Sequence, residues 1–371
     1  MTKSRTVPFF DYPRVYTDQR DELIRIFDDV GSRGAFILQK DVKDFEEALT
    51  KYTNASHAVG VGNATDGLEL AWMAIGLEPG DEVIFCSHTM VATASAIKTA
   101  GGIPVPVELG DDGLIDPDAV CDAVTQRTVG IMPTQLNGRV CDMEQLLHIK
   151  KKYGLVIIED SAQALGAKYK GQSAGTFGEA GAISFFPAKV LGSLGDGGGV
   201  LCRTEDIFDK IYQLHEHGRD IHGELKSWGR NSRLDNLQAA FLNHNLKTYD
   251  DVIERRRFIA NLYNSRLSAL EELYLPPAPA TDGIHYDVYQ NYELQAQNRD
   301  ALKAHLSAHC IGTLIQWGGK AVHQWDALGF KQKLPKTEKF FERCIMLPMN
   351  MFINDDDVHY VCDVIENFYR S

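Results

Sequence analysis

The chain lacks paired cysteines, an excess of basic residues and any long apolar run, and each lack excludes a class of protein. Its seven cysteines, Cys86, Cys121, Cys141, Cys202, Cys310, Cys344 and Cys362, stand singly and never form a C-x-x-C pair. A scattered, odd-numbered set gives neither a disulfide framework nor zinc-ligand spacing. His215, His217, His222 and His323 are not spaced as ligands on one element, so no metal is expected. The formal charge of −13 opposes nucleic acid and anionic membrane as partners, because both require a basic surface. Phosphorylated small molecules stay open as ligands, since backbone N–H groups and one or two side chains can hold a phosphate whatever the total charge. Nowhere do eighteen apolar residues run together, and the opening MTKSRTVPFFDYPRVY has no apolar core or small-residue cleavage site. A soluble, cytoplasmic protein without repeats or low-complexity tracts is expected.

What the chain does have is length, 371 residues at 44% hydrophobic, enough for a large α/β domain and a smaller partner. From about residue 40 to residue 202 short apolar runs alternate with helical patterns, the signature of parallel βαβ units. Strands are predicted at Glu82 to Cys86, Val129 to Pro133, Leu155 to Glu159, Ala182 to Phe186 and Gly199 to Cys202. Helices are predicted at Thr65 to Ile75, Val91 to Thr99, Asp116 to Val124 and Asp142 to Lys152. From Leu234 to about Leu267 apolar residues recur at three- and four-residue steps, which predicts one long helix containing the domain junction. Residues 1–250 are then a large domain. Residues 251–371 form a smaller α+β domain, opened by LPPAPATDG and closed by a helix from Asp355 to Tyr369.

The chemistry concentrates between Leu155 and Val200. Asp160 follows a fully apolar strand and so falls at the carboxyl end of the sheet, where open α/β folds bind ligands. Lys189 follows a second apolar strand, among Phe185, Phe186, Pro187 and Val190, and precedes a glycine-rich turn from Gly192 to Gly199. Desolvation there would lower the lysine pKa and supply the neutral amine that a Schiff base requires. Pyridoxal phosphate needs that amine, and it needs a carboxylate that keeps its ring nitrogen protonated, a role open to Asp160. Taken singly, Asp160 also reads as a helix cap and Lys189 as a solvated lysine. A third element, VGVGNATDGLEL from Val59 to Leu70, reads as a glycine-bearing turn into a helix whose N–H groups and Thr65 hydroxyl would face an anion, or as a simple capped turn. It fails as a dinucleotide or Walker motif. The Ser184 hydroxyl could bond the same phosphate or a neighbouring backbone group.

The stretches HAVGVGNATDGLEL, GDEVIF, VIIEDSAQALGAKYKG, SFFPAKVLGSLGDGGG and NSRLDNLQAA resemble, in order, those of the DegT/DnrJ/StrS family of sugar aminotransferases. The resemblance covers nearly the whole chain. It implies a fold-type-I aminotransferase, a mostly parallel central sheet flanked by helices, working as a homodimer with shared active sites. Lys189 would be the catalytic Schiff-base lysine, Asp160 the partner of the pyridine nitrogen, and Gln163 a neighbour of the phenolic oxygen. Ala64, Thr65 and Ser184 would hold the phosphate with Asn231 of the other subunit, and Arg233 the carboxylate of L-glutamate. Three places depart from the family's pattern, all where the substrate is expected. The stacking aromatic is Met90, with His88 before it; the usual P-V-H-L-Y-G is PTQLNG, with Gln135 and Asn137; and His-Tyr-Pro is replaced by Gln316-Trp317-Gly318, followed by Lys320 and His323. The implied reaction aminates a keto-sugar on a nucleotide, closer to carbon-3 than to carbon-4 relatives, towards amino sugars of lipopolysaccharide or other glycans. Related sugar dehydratases carry histidine in place of Lys189, and a catalytically silent relative would be expected to lose Lys189 or Asp160.

Overall fold

A computed structural model describes residues 5–281 and 283–370. Seven five-residue strands form the central sheet: β1 (His57–Val61), β2 (Glu82–Cys86), β3 (Ile103–Val107), β4 (Thr128–Met132), β5 (Val156–Asp160), β6 (Ala180–Ser184) and β7 (Gly198–Cys202). Their order is β1-β7-β6-β5-β4-β2-β3. Only β7 runs against its neighbours, pairing antiparallel with both β1 and β6. The central strands are apolar at consecutive positions because helices cover both faces. Val83, Phe85 and Ile158 lie in one hydrophobic cluster, while Ile84, Cys86 and Ile157 lie in the other.

The five predicted strands and four predicted helices of this region are present to within two residues. Two strands of the central sheet escaped the pattern. β1 was absorbed into the glycine-bearing turn, and in β3 the sequence IPVPV carries two prolines, each lacking a ladder donor. The prolines are accommodated because β3 is the edge strand. Helices α1 (Tyr12–Arg33) and α2 (Lys40–Thr53) also went unread, although α1 carries clear signals. Asp11 caps it by accepting from Arg14 N, Pro13 stands in its first turn, and Gly34 ends it at φ 62°.

The predicted long helix from Leu234 to Leu267 is corrected to two. Asn236–Asn245 is followed by a tight turn at Leu246–Thr248 and then by a second helix, Tyr249–Leu267. Tyr249 and Ile253 of the second helix pack into the large core, whereas Ile259, Tyr263 and Leu267 pack into a third cluster. We propose the division of the chain there, near residue 250. The third cluster surrounds an antiparallel sheet of Leu273–Tyr274, Tyr292–Ala296 and Cys344–Leu347, backed by helices Arg299–Ala308 and Asp355–Arg370. Val7 joins this cluster and bridges to Ile311, so the N-terminal segment returns to the C-terminal unit.

Candidate active site

The carboxyl ends of β2, β4 and β5, the turn after β6 and the first turns of two helices converge on one place. Asp160 is the last residue of β5 and is 4% exposed. Its Oδ2 accepts from the Thr93 hydroxyl at 2.6 Å and its Oδ1 from Ala162 N at 3.2 Å. Thr93 stands on helix α4 (Val91–Thr99) and shares a 2.7 Å hydrogen bond with Thr89, which in turn meets Thr134 at 2.9 Å. This hydroxyl chain fixes the carboxylate against the sheet. Burial raises the Asp160 pKa, while the Thr93 and Ala162 hydrogen bonds and the Lys189 charge pull it back.

Lys189 is positioned by its backbone. Its N–H donates to Phe186 O at 2.8 Å, and Gln290 of the small unit clamps both neighbours: Val190 N donates to Gln290 Oε1 at 3.0 Å and Gln290 Nε2 donates to Ala188 O at 2.9 Å. Burial pulls the Lys189 pKa down to about 8, against the opposing effect of the Asp160 charge. A cavity of about 530 Å³ opens beside it, lined by Phe186, Tyr12, Tyr16, Asn291 and Met349 among others.

Helix α3 (Ala64–Ala74) begins where β1 ends. Asn63 caps it by accepting from Asp66 N at 2.9 Å, which leaves the Ala64 and Thr65 N–H groups without intrahelical acceptors. Gly198 of β7 lets this turn come close, since a Cβ there would lie 2.5 Å from the Asn63 carbonyl carbon and 2.7 Å from Ala64 N. Ser184 ends β6, half-buried, with its Oγ accepting from Phe186 N at 3.3 Å. A desolvated amine, a buried carboxylate and a helix N-terminus with free donors fit the three polar ends of pyridoxal phosphate: aldehyde, ring nitrogen and phosphate.

Residues 17–366 match the model of the DegT/DnrJ/EryC1/StrS aminotransferase family. The chain belongs to this family. It is therefore an aminotransferase of a family that uses pyridoxal phosphate. It is 37% identical, over 98% of its own length and 99% of the other's, to a Geobacillus stearothermophilus protein described as a pleiotropic regulatory protein. It is 34% identical to the dTDP-3-amino-3,4,6-trideoxy-alpha-D-glucose transaminase of Streptomyces venezuelae, covering 98% of this chain and 96% of that one. Among solved structures, S. venezuelae DesV in complex with a ketimine intermediate superposes with a TM-score of 0.94 at 33% identity, covering 99% of both chains.

The remaining expected residues of the aminotransferase divide into three groups. Gln163 lies three residues beyond β5: its Oε1 accepts from Asn137 N at 2.8 Å, and its Nε2 has no protein partner among the described residues. Met90, at the head of α4, is 48% exposed in a single chain. Asn231 and Arg233 lie on another segment. Asn231 is exposed, while Arg233 pairs with Glu216 at 3.0 Å and is followed by the residues leading into helix Asn236–Asn245. Between them, Ser232 accepts from Gly62 N at 3.1 Å and donates to Asp66 at 2.7 Å, tying this segment to α3.

The expected substrate contacts of Gln135 and His323 are corrected. Gln135 is fully buried, donating to Glu159 at 2.8 Å and accepting from Cys141 N at 2.7 Å. His323 is 7% exposed, with Nδ1 2.7 Å from the Ser87 hydroxyl and Nε2 3.2 Å from Glu338. Both spend their polar atoms inside the protein. His88 is 2% exposed and lies against Phe340, Phe341 and Trp317, with its ring on the wall of a second cavity of about 600 Å³ that Asn137 and Glu293 also line. Asn137 is half-buried and wired to Glu293, Asn291 and Gln316, and Trp317 is half-buried beside it. Sequence reasoning missed Thr93, Asn63 and Gln290. Asn63 lies within a motif already quoted and Thr93 within a predicted helix, but Gln290 is a hundred residues from the lysine loop that it clamps, and no local signal marks it.

Proposed function

We propose that the protein transfers an amino group from L-glutamate to the 3-keto group of a nucleotide-linked deoxysugar, working as a cytoplasmic homodimer that supplies amino sugars for lipopolysaccharide or other glycans. The observation that carries this is the Lys189 amine, brought near neutrality by burial beside Asp160 and opposite the α3 N-terminus. The substrate class is supported by relatives of similar length whose names specify it. Besides the S. venezuelae transaminase, these include the UDP-2-acetamido-2-deoxy-3-oxo-D-glucuronate aminotransferase of Pseudomonas aeruginosa, 31% identical over 95% of this chain.

When bound, pyridoxal phosphate supplies the electron sink that makes the α-proton of an amino acid labile. Lys189 would hold the cofactor through its Nζ, and the same amine would move the proton between the two carbons of the transfer. Asp160, kept dry by β5 and α4, would hold a proton on the ring nitrogen. Gln163 offers Nε2 to the phenolic oxygen. Ala64, Thr65 and Ser184 offer donors to the phosphate, and Met90 offers a thioether face to the ring. Asn231 and Arg233 would serve the phosphate and the donor's carboxylate from across a subunit interface. Three large apolar residues of the preceding loop support such an interface, being exposed in one chain: Ile221 at 60%, Leu225 at 72% and Trp228 at 95%. No helix among the described residues is long and apolar enough to cross a membrane.

The test is spectroscopic and then chemical. Purified protein mixed with pyridoxal phosphate should develop a visible band that L-glutamate bleaches, and the aminated form should then be discharged by a 3-keto nucleotide sugar. Discharge only by a 4-keto sugar would move the reaction one carbon round the ring. A band insensitive to any amino donor would remove the transaminase reading.

A further inference from the structure

His88 and Glu293 meet in an arrangement that fixes a proton. His88 lies just beyond β2 in the large unit, and Glu293 lies on the central strand of the small sheet, Tyr292–Ala296. Their side chains are 1% and 2% exposed. His88 Nδ1 is 2.8 Å from the carbonyl oxygen of Gly113, and a carbonyl can only accept, so Nδ1 carries hydrogen. In a neutral ring Nε2 is then a bare lone pair. It stands 3.3 Å from Glu293 Oε2, with no room for water between them and no aligned hydrogen bond to any other atom. Glu293 Oε2 already accepts from Asn137 Nδ2 at 2.7 Å and from Gln316 Nε2 at 3.0 Å. Two buried lone-pair atoms at that distance repel, and one added proton converts the repulsion to attraction.

The surrounding groups do not supply that proton: the Cys344 thiol meets the Glu293 carboxylate, and burial with the Glu293 charge raises its pKa and keeps it neutral. Asp111 and Asp112, from the loop after β3, line the same cavity and add only negative charge. Arg139, also on that wall, is engaged by Asp287 at 2.6 Å. The His88 ring is otherwise enclosed by Phe340, Phe341 and Trp317.

We propose that His88 and Glu293 hold one buried proton between them, and that the pair positions Gln163 through Asn137. Glu293 anchors the Asn137 side chain, whose backbone sits in the left-handed region at φ 55°. From there Asn137 N–H engages Gln163 Oε1 and so turns Gln163 Nε2 outward as a donor. Loss of the proton would push the carboxylate off His88 and loosen Asn137 and Gln163 in turn. The shared proton stands independently of the proposed function; its consequence at Gln163 rests on that reading.

The direct test is the side-chain nitrogen spectrum of the ¹⁵N-histidine-labelled holoenzyme, with His88 assigned by its loss in His88→Gln. Nε2 should give the signal of a protonated or hydrogen-bonded nitrogen. In Glu293→Gln, whose amide can donate without an added proton, the ring should return to the neutral Nδ1–H form. A free Nε2 in the wild type overturns the shared proton. For the positioning role, Glu293→Ala should shift the visible band of the bound cofactor and lower kcat by about tenfold in both half-reactions, with KM little moved, the size of one lost hydrogen bond. Glu293→Gln should recover most of that loss. If Glu293→Ala does not fold, Asn137→Gly, which tolerates the positive φ, should give the same band shift. An unshifted band in a folded variant overturns the role.

Discussion

Asp160 ends β5 and Lys189 lies five residues beyond β6, and their pKa values move for one shared reason, loss of solvent. For Lys189 this puts half-protonation at about 8, below the ordinary 10.5. Below that value the amine is mostly charged and unreactive; above it the neutral form dominates. The rate at which the cofactor-free protein captures pyridoxal phosphate should therefore climb about tenfold per pH unit at low pH and flatten above about 8, rather than climbing towards 10.5. Stopped-flow absorbance across this range checks the sign and the midpoint. Asp160→Asn keeps the shape and the Thr93 contact but removes the charge. It should bind the cofactor yet lose turnover by roughly 10²-fold or more, the scale of a lost charge-stabilising contact in an active site. Single-turnover rates with L-glutamate measure this. Lys189 and Asp160 were legible in the sequence because each follows an apolar run that had to be a strand. Gln135 and His323 were misread, because matching motif positions fixes the backbone station of a residue but not the direction of its side chain.

At the scale of elements, the contact between β7 and the α3 N-terminus shapes the proposed phosphate seat. Gly198→Ala would press a methyl group against Asn63 and Ala64 backbone, which cannot rotate away as a side chain can. The substitution should weaken cofactor binding and cost about 1–3 kcal/mol of stability, typical of overpacking. Absorbance titration and chemical denaturation of the cofactor-free protein separate these effects. The sheet itself was readable strand by strand where both faces are buried, as in β2, β4 and β5. It was not readable at β3, where prolines disguise an edge strand, or at β1, where glycines suggest a turn. The break at Leu246–Thr248 was hidden because the apolar periodicity continues through it; no proline or glycine marks the site.

At the scale of the whole molecule, the loop carrying Ile221, Leu225 and Trp228 is left bare by a single chain. If the proposed homodimer forms through this loop, Trp228→Asp should shift the protein from dimer towards monomer in sedimentation velocity. It should also reduce activity in proportion, because Asn231 and Arg233 follow directly on the same segment. A variant that stays dimeric and fully active would remove this loop from the interface. The two units are joined by more than the chain: Gln290 clamps the Lys189 loop and Glu293 meets His88, so the small unit helps to set the geometry of the large one.

The sequence by itself determined the family, the α/β alternation, the aspartate at the end of its strand and the lysine in the turn after another. These follow from local patterns: apolar runs, helical periodicity and short motifs whose residues lie near one another in the chain. Only the tertiary structure decided that β7 is reversed, that Val7 joins the C-terminal core, that Gln135 and His323 point inward, and that Glu293 faces His88. Each of these depends on contacts between residues far apart in sequence, and such contacts are set by packing, which leaves no periodic mark on the chain.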